Sequence, residues 1–147
     1  ALIVYFLFYV GLLSALPVPF ACLVLLGGDP LAKGVSAQVV NLLPYARTEQ
    51  QSKAKVVYDR MSLPEWLISL VFGLLPLLFL LHPFFWGAIL GPLAVLAGLT
   101  ALMKKRIGGY TGDCCGACCL LCEWSFYLII VILYTVDGTY FSPAYLG

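Results

Sequence analysis

Charge is what this chain has least of. Only 10% of its 147 residues are Asp, Glu, Lys or Arg, where a soluble domain carries about 25%. The shortage is uneven. Residues 1–28 hold no formal charge, residues 66–103 hold His82 alone, and residues 114–136 hold only Glu123. Such runs exclude an ordinary water-soluble domain. A net charge of +1 without a basic tail gives nucleic acid nothing to bind to. With one histidine there is no Ser–His–Asp set or zincin helix, and no Walker loop stands anywhere, so covalent nucleophilic catalysis has no support. Internal repeats and low-complexity tracts are missing too. The first residues lack a basic n-region, and Ser14-Ala15-Leu16-Pro17 is a poor cleavage site, so no signal peptide is read. The chain opens with Ala1 inside an apolar stretch, which is expected of a piece of a longer polytopic protein.

Cysteine, by contrast, is plentiful, but five of the six lie at 114, 115, 118, 119 and 122. Residues this close on one helix are poor disulfide partners. Cys115, Cys118, Cys119 and Cys122 share a helical face, which leaves a soft-metal or iron–sulfur site open. Ligation from one straight helix is strained, however, and small polarizable side chains packing a helix interface are the simpler explanation.

What dominates is apolar length. Hydrophobic residues make up 63% of the chain, and runs of about 20 apolar residues suit a bilayer-spanning helix. The reading is an all-α polytopic membrane bundle, one membrane domain over residues 1–147 with about five segments. They are placed at residues 2–13, 20–43, 64–81, 86–103 and 114–136. Pro17 and Pro19 separate the first two, and Gly27-Gly28-Asp29-Pro30 predicts a break inside the second. Pro64 suits a first helical position and Glu65 complements the helix dipole. His82-Pro83 reads as a solvated turn, and the tail at 137–147 as interfacial. Loops 45–63 and 104–113 carry the Lys and Arg surplus and are two spans apart, so both fall on the cytoplasmic side by the positive-inside rule.

Polar residues in such a chain mark candidate sites. Gly108-Gly109-Tyr110-Thr111-Gly112-Asp113 follows the basic Lys104, Lys105 and Arg106. Glycines let backbone N–H groups approach an anion, and a helix start supplies further donors. Thr111 or Asp113 would cap that helix, and Asp113 is a hard oxygen ligand for a Mg²⁺–phosphate group. The bland alternative is a capped interhelical loop with topology-setting cations. Asp29 and Lys33 lie four residues apart and pair on one face, which lowers an insertion cost of about 2.5–3.5 kcal/mol per central charge. That face lines a substrate cavity, unless the stretch is merely re-entrant or interfacial. In loop 45–63, Arg47, Lys53 and their basic neighbours bind either anionic headgroups or a nucleotide phosphate. Glu123, inside the last segment, hydrogen-bonds across helices or faces the same cavity as Asp113.

With these residues laid out, the chain resembles the C-terminal half of the adenosylcobinamide-GDP ribazoletransferase (cobalamin synthase) family. The block Lys105-Arg106-Ile107-Gly108-Gly109-Tyr110-Thr111-Gly112-Asp113, then Gly116-Ala117 and Glu123, is similar to that family's G-G-x-T-G-D-x-x-G-A block with its downstream glutamate. Leu43-Pro44-Tyr45-Ala46-Arg47 looks like its L-P-Y-A-R stretch, and Gln51-Ser52-Lys53-Ala54-Lys55 like its G/S-K-A-K element. The chain departs at Ala32-Lys33, where the family usually has Ser-Arg, and at Cys118-Cys119-Leu120, where glutamines are common. The family's acidic H-x-D-G-x-x-D-T-x-D-G motif is not in this sequence and is expected upstream, so activity of these residues alone is not expected.

The resemblance implies a transferase of cobalamin biosynthesis in the bacterial inner membrane. It joins adenosylcobinamide-GDP to α-ribazole or α-ribazole 5′-phosphate with release of GMP, using Mg²⁺. The implied site has Asp113 and Glu123 as catalytic residues, Asp113 at the metal, and Gly108, Gly109, Thr111, Gly112, Lys33, Arg47 and Lys53 against substrate. The implied partners are these substrates and the lipid bilayer, with a homo-oligomer to be tested. A CDP-alcohol-type membrane phosphotransferase and a non-enzymatic transport subunit are the alternatives.

Overall fold

Each apolar stretch folds as helix. The computed structural model describes residues 2–46, 60–79 and 83–137. Its helices are α1 (Leu2–Ser14), α2 (Val18–Ala37), α3 (Val39–Leu42), α4 (Leu63–Leu74), α5 (Leu90–Ile107) and α6 (Gly112–Asp137). A 3-10 turn, Leu75–Phe79, extends α4, and a second, Pro83–Ile89, leads into α5. Among the described residues the sole β-pairing is one isolated bridge. The all-helical expectation holds.

Three stretches are long and apolar enough to cross a membrane: Val18–Leu42, Pro83–Ile107 and Gly112–Val136. Two further apolar helices, Ile3–Ser14 and Leu63–Phe79, are shorter. Outward-facing side chains such as Ile3, Phe6, Leu7, Phe72, Leu78 and Leu90 are largely exposed. A band of this kind has no water-soluble rationale and suits hydrocarbon.

The expected break at Gly27–Pro30 does not form; α2 runs through Pro30 without interruption. Proline there removes one backbone hydrogen bond, so tertiary contact must hold the helix together. Gly28 lets α6 press against it: a Cβ on Gly28 would lie 2.5 Å from Tyr127 Cε1 and 2.8 Å from Phe126 Cδ1. On the other side of α2, Gly34 meets Gly73 of α4, where a Cβ would come within 3.3 Å of the Gly73 Cα. Small residues at a crossing let helices gain contact area that side chains would block. Helix α2 is therefore the central helix, with α6, α4 and α5 packed around it.

Two buried clusters result. One gathers Leu16, Val24, Leu31, Leu77, Phe85, Phe126, Tyr127 and Ile130. The other gathers Ala32, Val39, Leu43, Leu96, Met103, Tyr110, Cys118 and Cys122, and it abuts the loop between α5 and α6. Cys118 and Cys122 are fully buried there, with their Sγ atoms 3.9 Å apart and Cys122 Sγ 3.5 Å from the Pro92 carbonyl. They act as small packing residues between α5 and α6. Among the described residues, no three Cys, His, Asp or Glu side chains converge as a metal site would require.

Candidate functional site

The glycine loop is tighter than its sequence suggests. Residues 104–113 read as one loop, yet α5 continues through Ile107 and carries Lys104, Lys105 and Arg106 on its last turn. Three strong helix formers extend the helix, and their charges complement its C-terminal dipole. Gly108 then ends it. Its left-handed φ of 69° and its N–H to the Lys104 carbonyl at 3.2 Å are those of a helix-terminating glycine. Only residues 108–111 lie outside helix. Thr111 caps α6, its Oγ1 accepting the Cys114 N–H at 3.4 Å. Asp113 therefore stands in the first helical turn, exposed, where its charge favours the helix start.

The loop does not stand alone. Ala46 N–H donates to the Tyr110 carbonyl and Tyr110 N–H donates to the Pro44 carbonyl, both at 2.9 Å. This parallel bridge between Tyr45 and Tyr110 ties the segment after α3 to the glycine loop. The two tyrosine rings meet edge to face at 5.4 Å. Gly109 is why the strands fit, because a Cβ on it would lie 2.3 Å from the Pro44 carbonyl oxygen. Two of the glycines expected against phosphate thus have backbone duties of their own.

Beside the bridge opens a groove of about 350 Å³, lined by Lys33, Ser36, Ala37, Val40, Tyr110, Gly112 and Cys115. It brings together the polar face of α2, the loop and the start of α6. Lys33 reaches it already paired: Nζ donates to Asp29 Oδ2 at 2.7 Å, with the side chains 65% and 48% exposed. The expected i,i+4 pair is present, on a regular helix. Ser36 belongs to the same polar face of α2 as Asp29 and Lys33, the face the sequence assigns to a substrate cavity. Ala37 and Val40 carry no such signal, and the sequence points Cys115 toward helix packing or a soft metal, so their place in the groove needed the fold.

Glu123 is elsewhere. It lies ten residues beyond Asp113 on one helix, about 15 Å at 1.5 Å per residue, and it does not line the groove. Of the two expectations for Glu123, the hydrogen bond across helices is the one present. Glu123 is buried and accepts hydrogen bonds from Tyr5 Oη at 2.7 Å and Tyr127 Oη at 2.9 Å. Tyr127 sits one turn along α6, the arrangement that lets i,i+4 side chains meet. Tyr5 ties α1 to α6. This network satisfies a carboxylate that would otherwise be costly to bury.

Arg47, Lys53 and the Gln51–Lys55 element lie outside the described residues, as do His82 and the tail from 138 onward. Of the expected site, Lys33 and Gly112 line one groove together with Tyr110, Asp113 stands next to Gly112 at the helix start, and Gly108, Gly109 and Thr111 are not among the lining residues. Mg²⁺ fits this arrangement in one form only. The ion usually takes one or two carboxylates and fills its remaining positions with phosphate oxygens and water. An exposed Asp113 can supply one such ligand.

Two segments far apart in sequence, both resembling one family's motifs, therefore meet beside one groove. Comparison with known proteins decides the matter: the family model described as cobalamin-5-phosphate synthase matches residues 1–131. The chain belongs to that family. Curated relatives named adenosylcobinamide-GDP ribazoletransferase include one from Shewanella sp. (strain W3-18-1), 34% identical over 107 residues, covering 70% of this chain and 39% of the relative. Another, from Leptospira biflexa, is 36% identical over 85 residues, covering 56% of this chain and 30% of that protein. One from Polaromonas sp. is 31% identical over 112 residues, covering 74% and 40%. The chain spans about two fifths of the length of such relatives. No solved structure matches it. Within the cobalamin-5-phosphate synthase family, then, this fold places the glycine block beside Pro44, Tyr45 and Ala46.

Proposed function

We propose that the protein is a membrane transferase that joins adenosylcobinamide-GDP to α-ribazole or α-ribazole 5′-phosphate and releases GMP. The observation that carries this reading is the bridge at Tyr45 and Tyr110, which ties the segment after α3 to the glycine loop whose Tyr110 and Gly112 line one groove. The names of the relatives supply the substrates. In the reaction a ribose hydroxyl attacks the corrinoid-side phosphorus of the diphosphate; the new P–O bond forms as the bond to GMP breaks. Such transfers depend on positioning and charge neutralisation more than on covalent chemistry by the protein. The exposed Lys104, Lys105 and Arg106 turn, the N–H groups at the start of α6 and Asp113 form the polar end of the site, with Arg47 and Lys53 as further cations. Mg²⁺ held by Asp113 and the diphosphate oxygens would offset the charge on the leaving GMP. Glu123 serves this site from a distance, by holding α1 on α6.

Five crossings follow if α1 and α4 with its 3-10 extension also span, tilted or locally thinning the bilayer. The two Lys- and Arg-rich loops then share the cytoplasmic face of the bacterial inner membrane. Family membership favours this reading over a CDP-alcohol phosphotransferase or a transport subunit. Membranes carrying the full-length protein, supplied with both substrates and Mg²⁺, are expected to release GMP and form the joined corrinoid. Uptake of a solute into proteoliposomes without product would favour transport instead.

A further inference from the structure

Among its described lining residues, the groove beside the bridge has little charge to offer. The one cation among them, the Lys33 ammonium, is held at 2.7 Å by the Asp29 carboxylate. Of the two hydroxyls among the described lining residues, those of Ser36 and Tyr110, that of Ser36 donates to the Lys33 carbonyl at 3.2 Å. Ala37, Val40, Cys115 and Gly112 supply the rest of the described wall together with Tyr110. The donor's diphosphate, esterified at both ends, carries about two negative charges and would leave water for this groove at a loss. Guanine presents a polar edge of donors and acceptors, and burying them without partners is costly. A corrinoid ring is too large for about 350 Å³. A benzimidazole riboside has none of these difficulties: its bicyclic base carries apolar methyls and its size suits a small pocket.

Resting on the transferase reading above, we propose that this groove is the acceptor subsite. It seats the benzimidazole of α-ribazole against Val40, Ala37 and Cys115, while the donor's diphosphate lies outside it, toward Asp113 and the basic end of α5. The ribose hydroxyl is thereby presented at the mouth of the groove, next to the start of α6.

The test uses the full-length protein in detergent micelles, treated with N-ethylmaleimide while modification is mapped by mass spectrometry. Saturating α-ribazole is expected to slow alkylation of Cys115 at least severalfold and to leave exposed Cys22 unchanged, while GMP protects neither. Protection of Cys115 by GMP and not by α-ribazole, or by neither, overturns the proposal. In kinetics, Val40→Trp is expected to raise the KM for α-ribazole about tenfold and leave the KM for adenosylcobinamide-GDP unchanged. A rise confined to the donor, or no rise, overturns it as well. Should the bulky variant not fold, Ala37→Leu and the alkylation of the wild-type protein decide. If the wild type binds α-ribazole at Cys115 but makes no product, the transferase reading fails while the subsite stands.

Discussion

Replacing Gly109 with alanine isolates the contact on which the site's assembly rests. The added methyl would sit 2.3 Å from the Pro44 carbonyl oxygen and 3.2 Å from both the Ala46 nitrogen and its Cβ. The obstacle is backbone, so no rotamer change relieves it, and the segment after α3 must separate from the loop. Two hydrogen bonds at 2.9 Å are then lost, each contributing about 0.5–1.5 kcal/mol net. Docking of the two segments should weaken by roughly 1–3 kcal/mol, which is about 5- to 150-fold in the local opening equilibrium. Hydrogen exchange in detergent micelles reads this directly. The Ala46 and Tyr110 amides are expected to lose protection by that factor, while amides in the middle of α6 keep theirs. Unchanged protection at both amides would refute the reasoning, because the bridge would then not depend on the missing side chain. Gly116→Ala is the control, since nothing lies within 4 Å of a Cβ there and the substitution adds helix propensity.

Other outcomes follow from the packing. Gly28→Ala should destabilise the bundle by about 1–3 kcal/mol by overpacking α2 against Tyr127 and Phe126, visible as a lower Tm in detergent. Glu123→Leu strands the hydroxyls of Tyr5 and Tyr127, and should cost about 1–3 kcal/mol for each donor left buried. Tyr5→Phe should cost only about 1 kcal/mol, so equal Tm losses for these two variants would contradict the network. Cys118→Ala and Cys122→Ala should lower Tm modestly with no change in bound metal by elemental analysis; loss of metal on either substitution would revive a metal-binding role.

How much of this was legible in the sequence varies with what sets each feature. Helix α6 was expected at 114–136 and runs Gly112–Asp137, because a long apolar run between polar loops leaves the backbone no other option in hydrocarbon. The break at Gly27-Gly28-Asp29-Pro30 was misread. Local propensity there argues against helix, and the contacts that override it come from Phe126, Tyr127 and Gly73, which no local window contains. The basic loop was drawn too long because topology rules describe charge and not helix length; Gly108 marked its true start. The bridge between Tyr45 and Tyr110 leaves no periodic trace, since one residue pair has no period. Of Glu123's two partners, Tyr127 was readable from i,i+4 spacing, while Tyr5 required knowing that α1 packs on α6.

The central claim is that the groove and the adjacent start of α6 are one site for the transfer reaction, and turnover of the Asp113→Asn variant tests it most directly. The substitution keeps size and hydrogen-bonding capacity but removes the one carboxylate in the first turn of α6. The measurement is GMP release from adenosylcobinamide-GDP and α-ribazole by full-length protein in membranes, with Tm as a control. The account predicts a fall in kcat of at least about 100-fold, on the scale of losing a single charge-stabilising group, with Tm within a few degrees of wild type. Wild-type turnover by the correctly folded variant would contradict it.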